Sequence, residues 1–312
     1  MASSSAQLQR KPKQRPASAI SYIGGKYALV GNIIPVIEWC ASAYKLDGYL
    51  EVCGGGCRML LNLDESLFKN RSYNDMDIGL CNLFACLGDH DLLYRLIDTL
   101  EERGCSEEVF LQAQAAREYA SDRLINHGEY PLDQVTSAAD VFILAGLSRA
   151  SCMTIYDQTR VNNLDRRHSY YRKIHRLEQL YSTMEGVEVT HGDCREVLRL
   201  HQRHSNYFAY IDPPYVPSAM EGENHYAHSW SAADHRQLVT QLLNTQMKVA
   251  LSGYDTPLYD PLLEAGWYKL YLKDTPVASS CGGQRKAEFL WINFKLPSSL
   301  EDLVCRVDYS QG

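Results

Sequence analysis

At 312 residues, 45 % hydrophobic and 22 % charged, the chain has the composition of a folded globular protein with length enough for a substantial core, which excludes a disordered, collagenous or membrane class. The net charge of −7 argues against a protein that coats nucleic acid indiscriminately, although a basic face on an acidic body still engages phosphates. No run approaches the roughly 20 apolar residues of a membrane helix, no signal-peptide core opens the chain, and the ten cysteines show no CxxC or paired-histidine zinc spacing; a cytoplasmic chain with reduced thiols and no metal is expected.

Residues 1–20 are polar, basic and proline-bearing, with Arg10, Lys11, Lys13 and Arg15, and predict a disordered arm. From Ser21 a glycine-punctuated loop, SYIGGKY, feeds a helix that carries Ile33, Ile34, Val36, Ile37 and Trp39. The apolar run GYLEVC predicts a strand, Gly54, Gly55 and Gly56 a tight turn, and RMLLNLDESL a helix opening towards a ligand. RSYND is a second strand ending in Asp75 and Asp77, with another helix from near Ile78, so the two units form a βαβ seed. Residues 88–180 turn helical, with Leu92, Leu93, Leu96, Ile97 and Leu100 on one face and Glu107 to Leu124 continuing the style. Strand signals resume at VEVTHGD, YFAYIDPPY, MKVALSGYD and FLWINF, separated by helical stretches such as SAADHRQLVTQLLN. The expected architecture is an α/β, Rossmann-like sheet from residues 21–87 and 181–297, a helical insertion over 88–180 and a tail over 298–312.

The tetrapeptide Asp212, Pro213, Pro214 and Tyr215 follows the apolar strand YFAYI, where a doubly wound sheet presents its ligand loops. Two prolines fix the backbone there, so the Asp212 carboxylate and the Pro213 carbonyl become rigid, convergent acceptors suited to an amine with two protons. Tyr215 adds a flat face on which a base swung out of a duplex can stack. A plain proline turn with a packing tyrosine is the blander reading of the same four residues. Glu51 precedes the glycine triplet, whose missing Cβ atoms let backbone approach a ligand. Asp75 lies about 20 residues further on at the end of the next strand, where an acid accepts from ribose hydroxyls. Asp193, after VEVTHG, is placed to accept from the adenine amine of a nucleoside cofactor; as a lone acid before a helix it is equally an N-cap.

Together, YIGGK at Tyr22 to Lys26, LEVCGGG at Leu50 to Gly56, NDMD at Asn74 to Asp77, and DPPY resemble the DNA adenine methylases of the alpha arrangement, in order and spacing, from about Ser21 to Pro297. The resemblance implies a methyltransferase sheet, mostly parallel with an antiparallel C-terminal strand, and a helical insertion that recognises DNA. It implies S-adenosyl-L-methionine as cofactor, contacted by Tyr22, Lys26 and Asp75, with Asp193 at the cofactor adenine and Asp212 at the junction of cofactor and substrate. The segments LSGYD, with Ser252, Tyr254 and Asp255, and EFLWINF match the family's C-terminal portion. Val52 and Cys53 replace the family's common Pro-Phe, and Cys57 stands where a third spaced glycine or small residue is usual.

Candidate DNA contacts lie in the basic stretch from Ser148 to Leu177: Arg149, Arg160, Arg166, Arg167, Arg172 and Lys173, with Arg176, interleaved with Tyr156, Tyr170 and Tyr171. A solvated helix face with structural tyrosines is the alternative. The function expected is methyl transfer to the 6-amino group of adenine in double-stranded DNA with the target base flipped. On sequence alone, the 4-amino group of cytosine, a catalytically silent DNA-binding subunit and an RNA or protein amine acceptor remain open.

Overall fold

A computed structural model describes residues 17–22, 24–130, 133–215, 230–276 and 285–305. The central element is a seven-stranded sheet in the order β3-β2-β1-β4-β5-β7-β6. Its strands are β1 (Gly48–Glu51), β2 (Asn70–Asp75), β3 (Val187–His191), β4 (Tyr207–Ile211), β5 (Lys248–Tyr254), β6 (Tyr268–Pro276) and β7 (Arg285–Ile292). The first five pair in parallel, and β7 runs antiparallel to both β5 and β6. Side-chain alternation explains why the sheet is covered on both faces. Tyr49, Phe208, Tyr210, Leu290 and Ile292 enter one hydrophobic cluster, while their neighbours Leu50, Ala209, Ile211 and Trp291 enter the other.

The first face is covered by α1 (Val30–Tyr44) and, beyond β2, by α2 (Ile78–Leu87), α3 (His90–Arg103), α4 (Glu107–His127) and α5 (Gln134–Leu147). The insertion continues through α6 (Gln158–Asn162), α7 (Leu164–His175) and α8 (Tyr181–Met184). The second face carries α9 (Cys194–His201), α10 (Ala232–Leu243) and α11 (Asp260–Glu264). In α3 the predicted stripe is buried at Leu93, Leu96, Ile97 and Leu100, with Asp89 capping the N-terminus. Long α4 buries only Phe110 and Ala113 and is capped by Ser106. No helix of the described residues is long and apolar enough to cross a membrane.

The structure departs from the sequence reading at four places. The helix expected over RMLLNLDESL is absent: only a 3-10 turn, Leu60–Asn62, forms after the glycines. The amides of Met59 and Leu60 donate to the buried Glu51 carboxylate, and Asp64 accepts from the amide and hydroxyl of Ser66, turning the chain away. Ala19 and Ile20, inside the segment read as an arm, are buried, and Ala17 bonds Asn62; residues 1–16 of that segment lie outside the described residues. Residues read as a tail form α12 (Ser298–Val304), where Leu300 and Val304 are buried and the Val304 carbonyl accepts from Asn32 of α1. Strand β6 carries no expectation from sequence; it is the sheet's edge and is interrupted by a register shift between Tyr271 and Lys273.

Candidate active site

Register sets the site. Glu51 at the end of β1 lies opposite Tyr73 of β2 on one side and Tyr210 of β4 on the other, so the segments that follow leave the sheet at one level. The chain steps outwards from β1 to β2 and β3, then returns to β4 on the far side of β1, which makes the gap beyond β1 and β4 the topological switch point. Buried Asn74 ties the three loop starts together: its side-chain amide donates to the carbonyls of Val52 and Gly192, both at 2.9 Å, and its own carbonyl accepts from Gly54.

The glycine turn is shaped by two tyrosines. A Cβ on Gly54 would collide with the ring of Tyr73, whose hydroxyl donates to the Gly55 carbonyl at 2.9 Å. Gly55 has φ of +47° and lies against the ring of Tyr22, so both conformation and space select glycine. Asp75 faces this turn and accepts from the Gly55 amide at 2.7 Å and the Asp77 amide at 2.9 Å. Burial lifts its carboxyl to about 6 against the pull of those amides. Asp77 caps α2 and pairs with Arg117 of α4, which joins the insertion to the same corner.

Beside the turn, Lys26 Nζ is 2.7 Å from Asp212 and 3.3 Å from Glu288 of β7, and it bonds the Tyr215 hydroxyl, which in turn donates to Glu288. Asp212 Oδ1 also accepts from Ser252 of β5 at 3.0 Å. Among the described residues its Oδ2 has no hydrogen-bond partner. Burial raises the Asp212 carboxyl and the nearby Glu288 raises it further, while Lys26 pulls it back; the net direction is up. The Tyr215 ring tilts against Tyr254 with centroids 4.3 Å apart. Behind the proline turn, buried His235 of α10 bonds the Tyr259 hydroxyl at 2.9 Å beside the Pro214 backbone, and burial lowers it to about 4, so it stays neutral.

Two clefts share Cys53, Asp75 and Pro214 as common walls. The first brings together Tyr22, Lys26, Glu51, Gly54, Gly55, Gly56, Asp75, Asp212 and Pro213, which the sequence singled out, and adds Arg58, which it did not. Glu51 lines the floor, but its carboxylate holds Met59, Leu60 and Tyr49, and burial raises it to about 7. The second cleft holds Asp193, Arg195 and Trp230. Asp193 caps α9 and is clasped by Arg195, which also reaches Asp234; burial pushes Asp193 up, but the Arg195 bonds outweigh it and the net shift is down. Sequence reasoning also missed Asn74 and Glu288 as parts of the site.

None of the seven basic candidates lines either cleft. Arg149, Arg166, Arg167 and Arg172 are exposed on the insertion, whereas Arg160 is partly covered and lies 3.4 Å from Asp157. Lys173 bonds the Ser21 hydroxyl at 3.2 Å, next to the loop that carries Tyr22. Tyr170 is core, packed on Phe142, and Tyr156 lies against Phe110.

A family model for the D12 class N6 adenine-specific DNA methyltransferases matches residues 22–276. No curated protein matches the chain. The family match spans most of the chain, and the protein belongs to that family: it is an enzyme that transfers a methyl group to the 6-amino group of adenine in DNA. Membership sets aside the cytosine acceptor and the silent subunit that sequence reasoning left open.

Proposed function

We propose that this adenine-specific DNA methyltransferase draws its methyl group from S-adenosyl-L-methionine held across the two joined clefts, and acts on an adenine flipped out of double-stranded DNA towards Asp212. The observation that carries the reading is the convergence of the glycine turn, Asp75 and Asp212 on one crevice at the switch point of the sheet. The cleft fits the cofactor: a cradle that a Cβ would fill lies beside an acid for ribose hydroxyls, and the adjoining cleft offers Asp193 and the Trp230 ring to an adenine. Tyr22 and Lys26 close the other side. When bound, the cofactor supplies a methyl group already activated by a positively charged sulfur.

The protein's task is then alignment and exclusion of water. The lone pair of an adenine amine is delocalised into its ring. Hydrogen bonds from one amine proton to Asp212 and from the other to the Pro213 carbonyl favour a tetrahedral, more nucleophilic nitrogen. Lys26 and Ser252 fix Asp212 Oδ1 and leave Oδ2 for this contact. Tyr215, anchored through its hydroxyl, provides a stacking face. Within the insertion read as residues 88–180, exposed Arg149, Arg166, Arg167 and Arg172, with Arg160 and Lys173 nearer the cofactor loop, contact DNA phosphates.

The test is transfer from S-adenosylmethionine labelled in its methyl group to genomic DNA lacking methyladenine, with RNA and protein as parallel acceptors, followed by nucleoside analysis. Label is expected in N6-methyladenine from duplex DNA. Label confined to RNA or protein, or none at all despite measured cofactor binding, would overturn the proposal.

A further inference from the structure

Arg58 follows the glycine turn and lines the first cleft, yet no step above uses it. It is 7 % exposed. Its terminal nitrogens donate to the carbonyls of Ile20 at 2.6 Å and Ala17 at 3.4 Å, which pin the guanidinium in place, and Nε is buried with no partner. That nitrogen lies by the two glycine loops of the cleft: a Cβ built on Gly56 would come within 3.5 Å of it, and one on Gly25 within 3.7 Å.

The charge of Arg58 is as telling as its orphan donor. Among the described residues no carboxylate forms an ion pair with it. Glu51, whose field reaches it, is turned to the amides of Met59 and Leu60. Lys26, the other cation of the cleft, is neutralised by Asp212 and Glu288. A buried guanidinium without a counter-charge is costly, and an unpartnered donor beside a glycine-lined space is what an incoming anion needs.

We infer that Arg58 receives, through Nε, the carboxylate of the amino-acid portion of the cofactor; the inference rests on the cofactor reading above. That carboxylate is the ligand's one anionic group. With the ribose at Asp75, the wall common to both clefts, and the adenine on the Asp193 side, the amino-acid portion extends along Gly55, Gly56 and Tyr22 towards Arg58. The packed segment from Ala17 to Ile20 thereby becomes part of the cofactor site, since it holds the guanidinium that faces the ligand.

Calorimetric titration separates this role from a structural one. S-adenosylhomocysteine carries the carboxylate, whereas 5′-methylthioadenosine lacks the whole amino-acid portion. Arg58→Gln is expected to weaken S-adenosylhomocysteine about 10- to 100-fold, the range for a lost charged hydrogen bond, and to leave 5′-methylthioadenosine within about twofold. Arg58→Lys retains part of the affinity. The wild type needs no variant for its own check: the carboxyl methyl ester of S-adenosylhomocysteine binds at least about tenfold more weakly than the acid. Equal losses for both nucleosides in Arg58→Gln, no loss for either, or an ester that binds as tightly as the acid would overturn the assignment. If neither nucleoside binds the wild type, the cofactor reading itself falls and this assignment falls with it.

Discussion

Asp212 sits between opposing fields. Burial and the proximity of Glu288 raise its carboxyl, and Lys26 at 2.7 Å lowers it, with a net upward shift from the usual carboxylate range. The ionised carboxylate is the stronger acceptor of amine protons, so methyl transfer falls as pH drops through this raised pKa. Removing the cation leaves the upward effects opposed by the Ser252 hydrogen bond but no longer by Lys26. Lys26→Met should therefore move the acid limb of the single-turnover pH profile to higher pH at saturating cofactor; an unmoved limb would assign it to another group. Asp212, Asp75 and Asp193 were legible in the sequence because each stands at or just past the end of a strand, on the side where the fold presents its ligand loops. Arg58 and Glu288 were not, because each looks like a polar interruption of an apolar run until tertiary contacts bring in Ala17, Ile20, Lys26 and Tyr215.

Between elements, the glycine turn depends on the strand beside it. Tyr73 of β2 is fully buried beneath Gly54, so the turn keeps its shape only while position 54 lacks a Cβ. Gly54→Ala should cost about 1–3 kcal/mol of stability, as overpacking does, and weaken cofactor binding. Adding Tyr73→Leu should return part of the lost stability in denaturant melts, and strictly additive losses would show that the two positions do not touch. Buried strands such as β1, β4 and β5 announce themselves as short apolar runs. The helix expected after the glycines stops at one 3-10 turn: Leu63 turns to extended backbone with ψ of 151°, and Asp64 takes the amide and hydroxyl of Ser66 in a competing local turn. Strand β6 escaped notice because its alternation, Leu270 and Leu272 inward between Lys269, Tyr271 and Lys273, belongs to a bulged edge rather than to a buried run.

Over the whole molecule, an acidic total and the basic stretch proposed to meet DNA are compatible because the cations are displayed locally. Arg149, Arg166, Arg167 and Arg172 are exposed on the insertion, while acidic residues such as Asp75, Asp212 and Glu288 are drawn into the crevice. The order of motifs conveyed the architecture well, since strand–turn–acid units can close into few sheets. It conveyed little of the insertion's shape, where a helical period gives lengths but not which face meets the sheet; Tyr170, read among the basic residues, proved to be core. What binds these scales together is the claim that Asp212 acts on the adenine amine and not merely on the fold. The most direct test is a single-turnover comparison of wild type with Asp212→Asn, using labelled S-adenosylmethionine and duplex DNA, with cofactor affinity measured on the same preparations. Transfer to adenine N6 should fall by roughly 10²–10³ while cofactor affinity stays within a few-fold, as for loss of one aligned polar group at a reacting atom. Transfer at the wild-type rate by Asp212→Asn would contradict the account.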